Sequence, residues 1–441
     1  MHINKILFTK KNIINILLSL FPLFLILGNL AININIIAIS ILGIVIYGTN
    51  IFKVNNKIYI YLLYSFFLYL ILITLIKNLP NLNVNDLHGV HILKSFFFLR
   101  FLIFFLVIVK LLEKNDFNIK IFFISCAFFS LVVGIDILIQ IAFGNNILGF
   151  PILNQRPSSF FGSENIAGGF LQKFSLFCFF LLFYFKEKKN NTKINFFLVL
   201  VFLLFSFSIL LTNNKMPLII FFSSIILFFL IEKKFKLLLV FFFLFIISLT
   251  VLAKTLPKGH PNEWKNYTKV SLNTIYVEAK RILIHAPKLF FYEDYKNEEI
   301  KISQTNYLFA FNSGVQVWKK NKIFGNGLKS YRLNCSFKIN QICTTHPHNY
   351  IIEIMVDTGL VGLVLIYLFF IFASVNFLKF YFKNFNSREK FFFVPSFLII
   401  FFEFFPLRSS GSFFSTSNAV IIFLMLAFLL VNTQSKHSKR L

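Results

Sequence analysis

Acidic side chains are scarce in this chain. Its 441 residues hold 17 Asp and Glu against 44 Lys and Arg, and only 14% are charged. With 57% of the residues hydrophobic, a soluble domain could not cover the apolar surface it would carry, which excludes a soluble fold. The sequence has no G-x-x-x-x-G-K-[ST] and no G-x-S-x-G, so ATP hydrolysis and serine-hydrolase chemistry have no support. It has no C-x-x-C pair, and His346-x-His348 with Glu353 is not a zincin pattern. The acidic stretch at 292–299 reads as a solvated loop rather than a magnesium site. No metal and no cofactor is expected.

What the chain has is apolar length. Mean hydropathy is +0.76, and 67 residues are Phe. Apolar runs of about 18 or more residues recur from end to end, the mark of a polytopic membrane protein whose fold is an all-α helix bundle. Twelve spans are expected, near 13–29, 34–50, 58–76, 95–112, 120–143, 166–185, 194–211, 216–232, 235–253, 349–376, 390–406 and 417–433. The first follows Lys5, Lys10 and Lys11 and has no clear small-residue cleavage site, so it reads as an uncleaved helix. Three regions result: an N-terminal bundle over 1–253, a large polar connection over 254–348 and C-terminal helices over 349–441. Within the connection, 268–292 and 306–321 have an amphipathic helical rhythm suited to a lid or to resting on headgroups.

The net charge of +27 follows topology rather than nucleic acid, because the basic residues gather in alternate loops. One set of loops includes Lys53, Lys57, Lys110, Lys114, Lys120, Lys186, Lys188, Lys189, Lys193, Lys233, Lys234, Lys236, Lys379, Lys383, Arg388 and Lys390. The opposite short loops hold only Lys77, Lys94, Arg156, Lys215 and Arg408. This asymmetry predicts that both termini are cytoplasmic and that the large connection lies outside.

The outside cations are the informative ones, since the topology rule does not account for them. Arg156 lies in "NQRPSSFFGSENIAGGFL", Lys215 in "LLTNNKMPLII" and Arg408 in "FPLRSSGSFFSTSN". Arg100, with Lys94, lies at the outer end of the fourth span, deep enough to require a polar cavity or a partner. Each alone could be an interfacial anchor. Several at one face suit an anion, and Arg suits a phosphate best. His348 sits at the outer end of the tenth span beside His346 and Asn349. Asn349, Glu353 and Asp357 follow at i, i+4 and i+8, on one helix face. Imidazole removes a proton near neutral pH, and a carboxylate or amide can fix its tautomer. Cys126 and Cys178 read as packing residues within spans, whereas Cys335 and Cys343 lie outside and can form a disulfide before the histidines. A base and several cations at one membrane face suit sugar transfer from a lipid diphosphate. The acceptor hydroxyl needs a base, and the leaving diphosphate needs positive charge.

At these residues the sequence resembles the O-antigen ligase / O-antigen polymerase superfamily. His348-Asn349 followed nine residues later by Gly359-x-x-Gly362 is similar to the ligase signature. "RPSSFFGSENIAGGFL", with Glu164-Asn165 at the next helix start, resembles the family's Arg-containing loop. "VWKKNKIFGNGLKSYR" resembles the segment that closes the large loop. The resemblance covers most of the chain from about residue 120. It implies a glycan donor on undecaprenyl diphosphate and a lipid A core or lipid-linked glycan acceptor, with no nucleotide, nucleic acid or metal. It implies His348 as the essential histidine and Arg156 as a diphosphate ligand. Lys215 stands where the family usually has the arginine of Ser-Arg-Gly, which keeps the charge and loses the planar fork. A ligase, a polymerase and a protein O-oligosaccharyltransferase would share this site. A lipid-linked oligosaccharide transporter is the alternative without chemistry, and it would need cations through the depth of the membrane.

Overall fold

A computed structural model describes residues 10–54, 57–82, 87–153, 156–189, 192–255, 306–335, 343–385, 387–406 and 408–431. The stretches at 268–292 and 292–299, Lys5 and the C-terminal basic residues lie outside the described residues. The described chain is all-helical: α1 Lys10–Ser19, α2 Phe21–Ile26, α3 Asn29–Tyr47, α4 Lys57–Asn78, α5 Leu87–Glu113, α6 Ile119–Phe143, α7 Ala167–Lys189, α8 Thr192–Leu211, α9 Lys215–Ile231, α10 Phe235–Thr255, α11 Asn306–Lys320, α12 Tyr331–Asn334, α13 Tyr350–Lys383, α14 Val394–Glu403 and α15 Thr416–Val431. Two isolated β-bridges, Asn145 with Pro151 and Leu153 with Arg156, are the extended pairings among these residues.

Among the described residues seven helices are long and apolar enough to cross a membrane: α3 to α8 and α13. Each of the twelve expected stretches contains helix within the described residues, but several of these helices are too short to count as spans by length. The first divides into α1 and α2, and Pro22 sits in the first turn of α2, where its missing N–H costs nothing. The stretch at 390–406 is a 3-10 turn over Arg388–Phe392 and the ten-residue α14. At 1.5 Å per residue α14 reaches only about 15 Å, half a hydrocarbon core. Both faces of α7 are buried, consistent with a central position, and it packs against α6 and α8. Phenylalanines supply much of the core: Phe122, Phe123 and Phe177 pack edge to face, and Phe98 and Phe101 meet Phe423.

The 34 residues of α13 contain a break. Gly359 adopts φ 63° and ψ −165°, outside the helical region. It divides the element into a short half, 350–358, and a long half, 360–383, which at 1.5 Å per residue is about 36 Å and suffices to span. The short half packs with α11 and α12 in a second, smaller core of Phe311, Val315, Val317, Tyr331, Ile352 and Val356.

The two ends of the bundle differ in chemistry. At one end basic residues meet acids, carbonyls and rings: Lys11 with Asp116, Lys110 with Glu113 and the Lys53 carbonyl, Lys234 with Glu187, Lys390 with Glu232, and Lys120 and Arg388 over Tyr184. The other end carries the segments 144–153, 156–166, 212–214, 343–349, 404–406 and 408–415. There the structure brings together most of the candidate residues.

Candidate active site

A cavity of about 380 Å³ opens at that second end. Arg156, Lys215, Arg408, His346, His348 and Asn165 all line it, although they come from four stretches of sequence. Apolar residues, Leu25, Phe170, Phe174 and Ile421 among them, line it as well.

Each polar residue is carried by a short connection that the adjoining helices hold. Arg156 accepts a turn geometry, its N–H donating to the Leu153 carbonyl at 2.9 Å. The start of α7 presses against the 212–214 turn, where a Cβ on Gly168 would come within 2.6 Å of Thr212 Oγ1. Across that contact Asn214 Nδ2 donates to the Asn165 carbonyl at 2.7 Å, which joins the Arg156 segment to the turn that begins α9 with Lys215.

The histidine segment is held from both sides. Cys335 at the end of α12 forms a disulfide with Cys343. Asn349 caps α13: its Oδ1 accepts from Ile352 N at 3.0 Å, and its Nδ2 donates to the Pro406 and Arg408 carbonyls at 2.7 and 2.9 Å. The Ser410 N–H donates to the His348 carbonyl at 2.8 Å. His348 is held at φ 53°, in the left-handed region that few residues other than glycine adopt, and such outliers concentrate at functional sites. The imidazoles of His346 and His348 lie 4.2 Å apart between centroids. Burial lowers the pKa of His348 from 6.5 to about 4, helped by repulsion from His346 and opposed by a Ser410 backbone contact and by Glu353. Burial and the Lys329 charge lower His346 to about 4 as well. Both rings are therefore neutral at pH 7 and able to accept a proton.

Two charged residues not singled out in the sequence, Lys173 and Glu403, join this group as a further cation and its counter-charge. Lys173, inside α7, also lines the cavity. Its Nζ lies 3.2 Å from Glu403 Oε1, and Arg408 Nη1 lies 2.9 Å from the same oxygen. One buried carboxylate thus faces two cations. A cation six residues into an apolar run, and an acid at the end of another, are the sequence signals for this pair.

Other candidate residues stand apart from the cavity lining. Arg100 donates to the Phe97 carbonyl at 2.9 Å and to Thr416 Oγ1 at 3.2 Å, with its guanidinium over Phe101. It finds a partner rather than the cavity. Glu164 is exposed, beside the lining residue Asn165. Glu353 is buried and accepts from Ser412 Oγ at 2.5 Å and Phe413 N at 2.6 Å, with Lys329 Nζ 3.6 Å away. Asp357 accepts from Lys329 N at 2.8 Å and Ser330 Oγ at 3.1 Å. These carboxylates fasten the 326–330 segment and the 412–413 loop to the helix that follows the histidines. Among the described residues no group of three His, Cys, Asp or Glu side chains is placed to hold a metal.

A cavity lined by positive charge, two neutral imidazoles and apolar side chains can bind an amphiphilic anion and deprotonate a hydroxyl beside it. Residues 199–367 match the family model described as O-antigen ligase. The match contains Lys215, both histidines and the Gly359 break, while Arg156, Lys173 and Arg408 lie beyond it. No curated protein sequence matches the chain.

Proposed function

We propose that this chain, a multi-pass membrane protein carrying the O-antigen ligase domain, transfers a glycan from undecaprenyl diphosphate to a hydroxyl of a lipid A core. The observation that supports this most is the convergence of Arg156, Lys215 and Arg408 with His346 and His348 on one cavity. The diphosphate lies against the cations and the prenyl chain against the apolar lining residues. His348 takes the proton of the acceptor hydroxyl as that oxygen bonds to the anomeric carbon. The bond from that carbon to the diphosphate breaks with inversion, and undecaprenyl diphosphate leaves with its charge held by the cations. The protonated imidazole then returns its proton to solvent. The cations held against the anionic leaving group take the place of a metal in this scheme, and the lipid diphosphate that of a nucleotide. The cation-rich end is cytoplasmic and the cavity faces the periplasm of an inner membrane.

The test uses protein in nanodiscs with a glycan on undecaprenyl diphosphate and lipid A core as acceptor. Glycan on the core is the expected product. Lengthened lipid-linked glycan identifies a polymerase instead, and donor movement across vesicles without product identifies a transporter. His348→Ala and Arg156→Ala should fold and lose transfer, and wild-type turnover in either removes that residue from the mechanism.

A further inference from the structure

Asp136 lies in α6, with neither side chain nor backbone reaching solvent, in the apolar stretch "VVGIDILIQ". An ionisable group in such a run is costly and calls for a specific use. Its two oxygens accept from opposite flanks of the loop that carries Arg156. Oδ1 accepts the Ile147 N–H at 3.0 Å, and Oδ2 accepts the Ser159 hydroxyl at 2.6 Å. Gln140, one turn on and equally buried, works the same way. Its Oε1 accepts the Ser159 N–H at 2.9 Å, and its Nε2 donates to the Phe150 carbonyl at 3.1 Å. Asn146 closes the set, donating to the Ser159 carbonyl at 2.9 Å and accepting from Phe150 N at 2.7 Å.

Ser159 is thus gripped at its N–H, its hydroxyl and its carbonyl, and it is held at φ 53°. A serine keeps that left-handed backbone only where its surroundings over-determine it. The grip lies three residues past Arg156, and the Ile147 and Phe150 contacts anchor the chain before it. From this geometry we infer that Asp136 and Gln140 are positioning residues of the transfer reaction, which set the Arg156 guanidinium at the cavity by docking its loop onto the end of α6. The inference rests on the function proposed above.

The probe is undecaprenyl diphosphate bound to the full chain in nanodiscs. Asp136→Ala removes both acceptors and should weaken binding about tenfold or more, since an ångström of misplacement suffices for such losses. Asp136→Asn keeps one acceptor, and the Ser159 hydroxyl can reverse to accept from the amide, so binding should stay within about threefold. Donor KM should rise in Asp136→Ala while acceptor KM does not. In an Arg156→Ala background the same substitution should change binding by less than about twofold, because the two residues act as one unit. An equal loss in both backgrounds, or equal rises in donor and acceptor KM, overturns the inference. If Asp136→Ala cannot be purified folded, Ser159→Ala removes one of the same bonds and reads the same coupling. Should Arg156→Ala weaken binding and Asp136→Ala not, the positioning role alone falls. Should the wild-type chain fail to bind undecaprenyl diphosphate, the proposed function falls with it.

Discussion

Replacing Gly359 with alanine should damage the fold before it touches chemistry. The residue sits at φ 63° and ψ −165°, and a Cβ there would come within 2.1 Å of the Ile323 carbonyl oxygen. That neighbour is backbone and cannot rotate away. Forcing an L-residue into this glycine region costs about 1–3 kcal/mol. Relief requires the 322–325 segment to retreat, which breaks the bonds from Leu360 N to Lys322 O at 3.0 Å and from Val361 N to Ile323 O at 3.2 Å. Each contributes about 0.5–1.5 kcal/mol net, so the whole loss is about 2–6 kcal/mol. The thermal unfolding midpoint in detergent should fall by roughly 2–6 °C. Gly362→Ala should cost less, because although its Cβ would also crowd Thr358 it carries none of the left-handed backbone strain. A Gly359→Ala midpoint within about 1 °C of wild type would show that the break is not what fixes this joint.

Three further outcomes follow from the site. The acid limb of kcat/KM, which reports the free enzyme, should lie near 4 for His348 rather than at 6.5, and a clear inflection at 6.5 would contradict the buried placement of the ring. The same lowered values mean that the unfolded chain binds more protons between about pH 4 and 6.5, so the stability these histidines contribute is complete above 6.5 and declines as pH falls toward 4, which denaturant titration across that window measures. Lys215→Arg should keep donor KM within about threefold of wild type, whereas Lys215→Met should raise it about tenfold, and equal values for the two variants would remove charge at this position from donor binding.

The outer cations were legible in the sequence because basic residues there are exceptions to the charge asymmetry of the loops. Arg156, Lys215 and Arg408 needed no structure to be singled out, only one to be brought together. Lys173, Glu403 and Asp136 escaped notice because each sits in a run that reads as lipid-facing or core helix. Their partners lie on other helices, and only packing reveals that Lys173 faces Glu403 or that Asp136 faces Ser159. The Gly359-x-x-Gly362 pair was visible as a motif, but its physical role was not. A glycine inside a continuous apolar pattern gives no sign that another segment will press on it. Asn349, Glu353 and Asp357 follow one another at the spacing of a helix face, yet they serve as a cap and as fasteners, because the groups that bond them come from distant loops.

At the α13 break four main-chain bonds join the helix to the 322–327 segment: Asn326 N and Gly327 N donate to the Val356 and Asp357 carbonyls, and Leu360 N and Val361 N to the Lys322 and Ile323 carbonyls. The atoms they use belong to every residue type except proline, which lacks the N–H. The identities of the side chains at 322, 323, 360 and 361 are therefore not what holds this seam, and drift at those four positions leaves the neighbouring imidazoles in register.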